Sequence, residues 1–339
     1  MKKILLSVVC LMIVGMQSVM AQAPAAIMLM HQGQAKLYSG QELVSAVSAA
    51  EAGDSIFLSN GTFSVVGGLT INKPISLIGA GQNTIISGEV TVDIDSTATI
   101  TGRLLDALKL TRSLIVNQNP DAITIRKCWI PNNLQLNENA RNMIVDRCYV
   151  RYFVPLEGYS STFSATNSVF SQCGGENIMS HTGNVIFTNC NLGGFYVYHW
   201  ASFQDYYSFI ENATFVNCLI GSFENSSSTN TFINCGGNSD TNNTNLGVFD
   251  NCYNLTSHSN IKLRSFDENS GFPTFARELC SAENLQKGNY LGTDGTIIGA
   301  EGGSTPYNLN PSLPTVSQSS FTVDNSTRTL NVTLTVTSE

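Results

Sequence analysis

Charged residues are scarce in this sequence. Only 12% of its 339 residues are Asp, Glu, Lys or Arg, about half the share of a typical soluble domain. Uncharged polar residues replace them, including 34 asparagines, while 42% of the chain is hydrophobic. Disordered chains combine low hydrophobicity with high net charge, so this composition argues against disorder. It favours extended β-structure with many turns.

Basic residues are fewer than acidic ones and form no run. The chain has 17 Lys and Arg against 25 Asp and Glu, a net charge of −8. Nucleic-acid binding requires a basic patch or stripe, so we predict that nucleic acid is not a partner. The acidic balance also repels anionic polysaccharides on average, although one local basic patch can override that repulsion.

The N-terminus carries the one long apolar run. Lys2 and Lys3 precede it, Ile4–Val14 form its core, and small residues suited to cleavage follow at Val19–Ala21. This pattern predicts a secretory signal peptide over residues 1–21. The alternative, a membrane anchor, would need ~20 apolar residues. We therefore expect export to the periplasm, the cell surface or the medium, with no membrane span in the mature chain.

We predict one β-helix domain over residues 36–288, with a short capping α-helix at residues 39–51. Ser39 is the expected N-cap, with Glu42 three residues later as in a capping box. The helix would share an apolar face formed by Leu43, Val44 and Val47.

Two long runs then carry a family resemblance. SGQELVSAVSAAEAGDSIFLSNGTF (39–63) and LTINKPISLIGAGQNTIISG (69–88) resemble the first coils of pectin-lyase-like β-helix proteins. The resemblance implies an all-β fold, a right-handed parallel β-helix with three short strands per coil and an N-terminal capping helix.

A motif that ends in Asn-Cys recurs along residues 123–255 and supports a solenoid independently. Examples are Ile123–Ile130, Met143–Val150, Val185–Leu192 and Val248–Leu255. We place its Cys or Ser position at 128, 148, 168, 190, 218, 235 and 252. A fixed motif at variable steps indicates one structural rung per repeat, with loops of different length between rungs.

The residue before each Cys or Ser is the predicted corner between two strands. It is Asn at five of the seven positions, and Asn readily adopts the left-handed conformation that a one-residue corner needs. Stacked Asn side chains can also hydrogen-bond from rung to rung. The predicted asparagine ladder consists of Asn167, Asn189, Asn217, Asn234 and Asn251.

The cysteines of the motif are predicted to be free thiols packed in the core. Neighbouring parallel rungs lie ~4.8 Å apart with side chains pointing the same way, whereas a disulfide needs Cβ atoms about 3.8 Å apart and a torsion near 90°. The predicted ladder consists of Cys128, Cys148, Cys190, Cys218, Cys235 and Cys252. Cys173 and Cys280 fall outside this alignment, and their pairing stays open.

Residues 289–339 differ in composition from the repeats. Gly, Pro and Asn dominate 289–314, and residues 321–337 alternate apolar with polar around a turn at 325–327, which predicts a β-hairpin. GTDGTIIGAEGGSTPY resembles a segment that closes many exported bacterial β-helix proteins. The resemblance implies that it covers the last coil or forms a small appended β-unit.

The catalytic patterns of pectate lyases and polygalacturonases are missing from the sequence. It has no Asp-Asp pair and no carboxylates clustered on successive rungs, as Ca²⁺ ligands or acid–base pairs would require. No His, Cys or Asp grouping has metal-ligand spacing, so we predict neither a metal nor a cofactor. Because solenoid sites are assembled across coils, a polysaccharide lyase or glycosidase acting on an acidic polysaccharide stays open as the alternative.

The longest insertion, between Cys190 and Cys218, is rich in aromatic residues. Aromatic rings can stack on sugars, Tyr and Trp add polar groups, and His or Asp can hydrogen-bond or transfer protons. The candidate ligand-binding residues here are Tyr196, Tyr198, His199, Trp200, Asp205 and Tyr206. The alternative is that half of these aromatics point inward and close the core.

Arg126, Lys127, Arg147 and Arg151 form a basic patch on two adjacent rungs. Arg126 and Arg147 are therefore candidates for binding a carboxylate, and a solvated face is the alternative. Together, these features favour a non-catalytic exported β-helix. Such a protein would bind a polysaccharide or cell-surface glycan, or serve as a surface or adhesion scaffold.

Overall fold

The chain folds into a parallel β-solenoid. The computed structural model describes residues 25–99, 103–119, 122–155, 167–178, 184–193, 211–221, 226–237, 244–255, 282–307, 315–324 and 329–337. Two long sheets, of 12 and 13 strands, share one continuous core. The all-β, parallel β-helix prediction is therefore confirmed.

The first sheet stacks ten parallel strands on an antiparallel pair. The pair is β1 (Ala26–His31) and β2 (Gln34–Ser39). The parallel strands are β3 (Ser55–Leu58), β6 (Ser76–Ile78), β9 (Arg103–Asp106), β12 (Thr124–Arg126), β14 (Ile144–Asp146), β16 (Val169–Ser171), β18 (Ile186–Thr188), β20 (Thr214–Val216), β22 (Thr231–Ile233) and β24 (Val248–Asp250).

The second sheet contains two columns of parallel strands. One column is β4 (Gly61–Ser64), β7 (Thr84–Ser87), β10 (Lys109–Leu110), β13 (Trp129–Asn139), β15 (Tyr149–Pro155), β17 (Gly174–Ile178), β19 (Asn191–Leu192), β21 (Leu219–Ile220), β23 (Gly236–Gly237) and β25 (Tyr253–Asn254). The other is β5 (Leu69–Ile71), β8 (Val90–Asp93) and β11 (Leu114–Gln118), which continues into the second half of β13 from Leu134. Leu134–Leu136, in this half of β13, supply the third strand of their coil.

A hairpin and a short helix cover the first coil. β1 and β2 meet at a two-residue turn in which Gln32 and Gly33 both have positive φ, the geometry that fits the twist of a hairpin. The helix α1 (Leu43–Ala49) buries Leu43, Ala46 and Val47. The hairpin was not predicted, although the Gln-Gly pair between alternating apolar residues is a turn signal.

Two details of the predicted helix are wrong. The helix begins at Leu43 without a side-chain cap, because Ser39 ends β2. The carboxylate of Glu42 still accepts bonds from the backbone N–H of Ser39 at 2.9 Å and its hydroxyl at 2.8 Å, which is half of a capping box. Val44, assigned to the apolar face, is 47% exposed, and Ala46 takes its place.

One-residue corners join the two sheets in every rung from β9 onward. The corner residues have φ between 44° and 54°: Ala107, Lys127, Arg147, Gln172, Asn189, Asn217, Asn234 and Asn251. Each donates its backbone N–H to the strand of the next rung, except the last. The predicted left-handed corner is confirmed.

The inward side chains form continuous columns. Phe170, Phe187, Phe215, Phe232 and Phe249 stack with ring centroids 4.8–5.0 Å apart and nearly parallel planes. Below them the same position is filled by Val145, Ile125, Leu105, Leu77 and Ile56, all fully buried.

The prediction that Asn167 is a corner of the ladder and that Ser168 stacks on Cys148 is wrong. Cys148 faces Cys173, because Tyr149 pairs with Gly174, so Gln172 is the corner of this rung. Asn167 has a positive φ as well, but it lies at the other junction, in register with Asn142. Ser168 accepts a bond from the Met143 N–H at 3.1 Å. Asn167 therefore does not belong to the asparagine ladder, and Cys173 joins the cysteine ladder.

All seven ladder cysteines are free: Cys128, Cys148, Cys173, Cys190, Cys218, Cys235 and Cys252. Six are fully buried, and Cys252 on the last described rung is partly exposed. Burial raises the pKa of Cys128, Cys190 and Cys235, whereas a hydrogen bond with the Cys235 side chain lowers the pKa of Cys252. Cys280 lies outside the described residues.

We expect a native thiol titration to label Cys252 first and the other ladder cysteines slowly. Burial blocks the reagent, and the raised pKa of Cys128, Cys190 and Cys235 leaves little thiolate, the reactive form, at these three residues. Unfolding without reductant should release all seven. Cys252→Ser is the control, since it should remove the fast phase only. Recovery of clearly fewer than seven thiols after unfolding would show that ladder disulfides exist.

In the asparagine ladder, one pair of neighbouring rungs is joined by a hydrogen bond between asparagine side chains. Asn251 Nδ2 donates to Asn234 Oδ1. The Asn217 side chain turns instead to Thr293, whose backbone N–H donates to Asn217 Oδ1 at 2.9 Å. Ladder bonding is thus interrupted where the C-terminal segment reaches the corner.

Residues 289–307, the flank segment, lie along the second sheet. The segment follows the helix α2 (Ala282–Lys287). Tyr253 Oη donates to the Leu291 carbonyl at 2.9 Å, and the Ala300 N–H donates to Asn191 Oδ1 at 3.0 Å. Ile298 packs so closely on Gly236 that an added Cβ would lie 2.5 Å from its Cδ1. The segment therefore spans several rungs rather than only the last one.

The chain ends in an antiparallel pair formed by β26 (Thr315–Asp324) and β27 (Thr329–Thr337). It forms a separate two-stranded sheet. The pair extends the predicted hairpin at 321–337 toward the N-terminus.

Candidate functional site

The two kinds of junction in each coil differ in length. From β9 onward, two residues always separate a first-sheet strand from the next second-sheet strand. The return connection varies from residues 140–143, between β13 and β14, to residues 193–213, between β19 and β20. Insertions of variable length in a solenoid map to one face, which is often the binding face. The return edge of the coils is therefore the candidate location of a site.

The aromatic insertion is attached to the solenoid at this return edge. Gly193 is the last described residue before it and Glu211 the first after it. Six predicted ligand-binding residues lie outside the described residues: Tyr196, Tyr198, His199, Trp200, Asp205 and Tyr206. The fold thus locates the two points where the insertion is attached.

Arg126 is the centre of a buried ion-pair network on the first sheet. Asp106, Arg126 and Asp146 are in register on β9, β12 and β14. Arg126 Nε and Nη2 donate to the two Asp106 oxygens at 3.2 Å each, and Arg103 Nη1 donates to Asp106 Oδ2 at 2.6 Å. The Asp106 side chain is only 5% exposed. Both of its oxygens are occupied by guanidinium groups.

Arg147 is paired as well. Its Nε and Nη2 lie 2.9 and 2.8 Å from Asp146 Oδ2, and Ser171 Oγ donates to the other oxygen at 2.8 Å. Lys127, between the two arginines in sequence, is 5% exposed. Arg126 and Arg147 are therefore neither an open carboxylate site nor part of a solvated face, because their side chains are only 13% and 17% exposed and are paired with Asp106 and Asp146.

The ion-pair column, formed by Asp106, Arg126 and Asp146, contains the residue types of a polysaccharide-cleaving site, but these side chains are paired with one another or with neighbouring residues. Asp106 and Asp146 lie two rungs apart, about 9.6 Å along the solenoid, just above the ~6.5–9.5 Å separation of the two carboxyl groups in an inverting glycosidase. Arg126 lies between them in register and holds Asp106 bidentately, so this carboxylate is already paired. In the described ranges, no three His, Cys, Asp or Glu side chains are arranged to hold a metal ion.

Trp129 is not an open platform for sugar rings. It occupies the outward column of the second sheet, in register with Lys109 and Tyr149. Lys109 Nζ lies 3.7 Å from the centre of the Trp129 ring, and Trp129 is 3% exposed. Burial lowers the pKa of Lys109.

His31 makes a contact that the sequence analysis missed. Its Nδ1 is 2.9 Å from Asp54 Oδ1, and its Nε2 is 3.9 Å from Glu51 Oε2. Asp54 is 6% exposed and also accepts the Glu51 N–H at 2.8 Å. The contact attaches the β1–β2 hairpin to the first coil. Asp54 belongs to the Gly-Asp motif before β3, and that motif was the available signal.

No protein-family model, no curated protein and no solved structure gives a significant match to this chain. The class is thus defined by the fold itself, a parallel β-solenoid with short fixed corners and a return edge of variable length. No helix in the described part of the chain is long and apolar enough to cross a membrane.

Proposed function

We propose that this protein is an exported, right-handed β-helix that binds glycans without cleaving them and serves as a surface or adhesion scaffold. The observation that carries the proposal is the common edge at which the variable connections leave the coil. The longest of them contains the aromatic sequence at 195–207. A rigid solenoid with insertions on one edge is a suitable frame for an extended ligand.

The ion pairs of Asp106 and Asp146 support binding over catalysis. Asp106 and Asp146, the carboxylates closest to a lyase-like arrangement, are held by arginines. A general acid or base must reach the reacting proton, and neither carboxylate has a free oxygen directed to solvent.

The test is a glycan array combined with a polysaccharide depolymerisation screen on wild type, Trp200→Ala and Phe57→Ala. Phe57 is an exposed aromatic on β3, at the far end of the solenoid from the insertion, so its removal is a matched control. We expect glycan binding that Trp200→Ala weakens and Phe57→Ala does not, with no loss of polymer length. Depolymerising activity of the wild type would contradict the proposal, as would the absence of any glycan ligand.

A further inference from the structure

The outward residues of β16, β18, β20 and β22 form a regular uncharged surface. In each strand the middle residue is a buried Phe and the first and third residues point outward. Each strand contributes one hydroxyl and one aliphatic side chain. The hydroxyls are Ser171, Thr188, Thr214 and Thr231. The aliphatic side chains are Val169, Ile186, Val216 and Ile233. We call this surface the neutral face.

The neutral face is solvent-accessible. Ile186 is 40% exposed. The column continues on both sides with Ile144, 40% exposed, and Val248, 59% exposed. Parallel rungs repeat every ~4.8 Å, and two residues along a strand span about 6.6 Å. The face is thus a flat array with a repeat comparable to the length of one sugar ring.

The charges around the face give a polyanion no net attraction. Asp146 precedes it and Asp250 follows it in the third-residue column. Arg126 and Arg147 are paired with Asp106 and Asp146. A carboxylated or sulfated chain would therefore meet the exposed Asp250 at one end of the face and, at the other end, an Asp146–Arg147 ion pair with no net positive charge.

The small area of the face also disfavours a protein partner. Four rungs cover roughly 19 Å, and three residues span about 10 Å, so the face offers about 200 Å². A stable protein interface buries about 800 Å² per partner. A second copy of this chain would need contacts well beyond the neutral face, whereas a single polysaccharide chain is narrow enough to lie on it.

We infer that the neutral face binds an uncharged polysaccharide chain lying along the solenoid axis. The inference rests on the proposed glycan-binding function and names its ligand class. Thr188, Thr214 and Thr231 exchange hydrogen bonds with sugar hydroxyls. Ser171, which donates to Asp146, accepts one. The aliphatic side chains pack against the C–H faces of the rings. Each rung offers one hydroxyl and one aliphatic contact, with the two exchanging columns between β18 and β20, and the contacts on successive rungs add along one chain.

The experiment measures binding of neutral and acidic polysaccharides at low and high salt. The neutral probes are cello-oligosaccharides, xylan and mannan, and the acidic ones are polygalacturonate and alginate. The variant is Thr188→Val/Thr231→Val, which removes two hydroxyls and keeps the shape. The control is Thr70→Val/Thr91→Val, at outward positions of β5 and β8 on the second sheet. Thermal unfolding checks that both variants keep the fold.

We expect at least one neutral polysaccharide to bind with little dependence on salt. The neutral-face variant should weaken it roughly tenfold, the effect of two lost neutral hydrogen bonds. The control should stay close to wild type. Binding to acidic polysaccharides alone, falling steeply with salt, would overturn the ligand class and leave the proposed function standing.

Two further results would overturn the inference in distinguishable ways. Neutral binding that survives in the neutral-face variant but is lost in Trp200→Ala would place the site at the insertion. A change from dimer to monomer in the neutral-face variant, with glycan binding intact, would identify a second copy as the occupant. If no glycan binds at all, the proposed function fails together with the inference.

Discussion

Replacing Phe215 by Ala is expected to lower the free energy of unfolding by about 3–5 kcal/mol. Phe215 is fully buried, and its ring stacks between Phe187 at 5.0 Å and Phe232 at 4.9 Å. The two neighbours belong to strands held by the backbone hydrogen bonds of adjacent rungs, so they cannot move together to fill the space. The loss therefore combines the burial of the ring with the cost of a cavity.

Urea denaturation followed by circular dichroism and by tyrosine fluorescence measures this loss. Two probes are needed because repeat proteins can unfold in stages. Phe57→Ala is the control, since Phe57 is 37% exposed on β3, and its loss should cost clearly less. Equal effects of the two substitutions would contradict the stacked Phe core.

Replacing Asp106 by Asn is expected to be as damaging, at about 3–5 kcal/mol. Asp106 pairs with both Arg103 and Arg126, and the Arg126 side chain is only 13% exposed. The substitution keeps the volume but leaves a largely buried guanidinium without a counter-charge, which costs far more than the net contribution of an exposed pair.

Asp250→Asn is the matched control for Asp106→Asn. Asp250 occupies the same outward column on β24 but is exposed, so we expect a change within about 0.5 kcal/mol. Thermal unfolding of the two variants makes the comparison. If Asp106→Asn lost no more than Asp250→Asn, the ion-pair column would have no structural role. Arg126→Met combined with Asp106→Leu should recover part of the loss, because it removes both charges together.

The error at Ser168 shows the limit of motif spacing. Asn167-Ser168 and Gln172-Cys173 both fit a corner followed by a small inward residue, and the insertions make the step length uninformative. Phe170 was the better marker. It lies 17 residues before Phe187, the same step that relates Phe215, Phe232 and Phe249. An inward aromatic contributes more to packing than a corner, so it is the more reliable position to align.

The ion pairs could have been predicted from the same periodicity. Asp106, Arg126 and Asp146 are separated by steps of 20 residues, the step that correctly related Cys128 to Cys148. Opposite charges at equivalent outward positions of adjacent rungs must lie close together. The predicted basic patch was wrong because it grouped the cations without the acids one coil away.

Local sequence patterns were sufficient to predict which side chains of this protein point inward. Alternation along each strand places Ile123, Ile125 and Ile130 in the core, and a one-residue corner requires a left-handed residue wherever it occurs. These are local constraints, because each depends on a few consecutive residues. They were sufficient to predict the solenoid and its free thiols.

The contacts on the outer surface depend on how distant parts of the chain pack against each other. The flank segment reaches the corner at Asn217 from 76 residues away, and the Gly236 surface accepts Ile298. Such contacts depend on which rungs are neighbours and on where a distant segment packs, which no repeat pattern encodes. The neutral face arises in the same way, since its hydroxyl and aliphatic side chains become one surface only when the four strands are stacked in register.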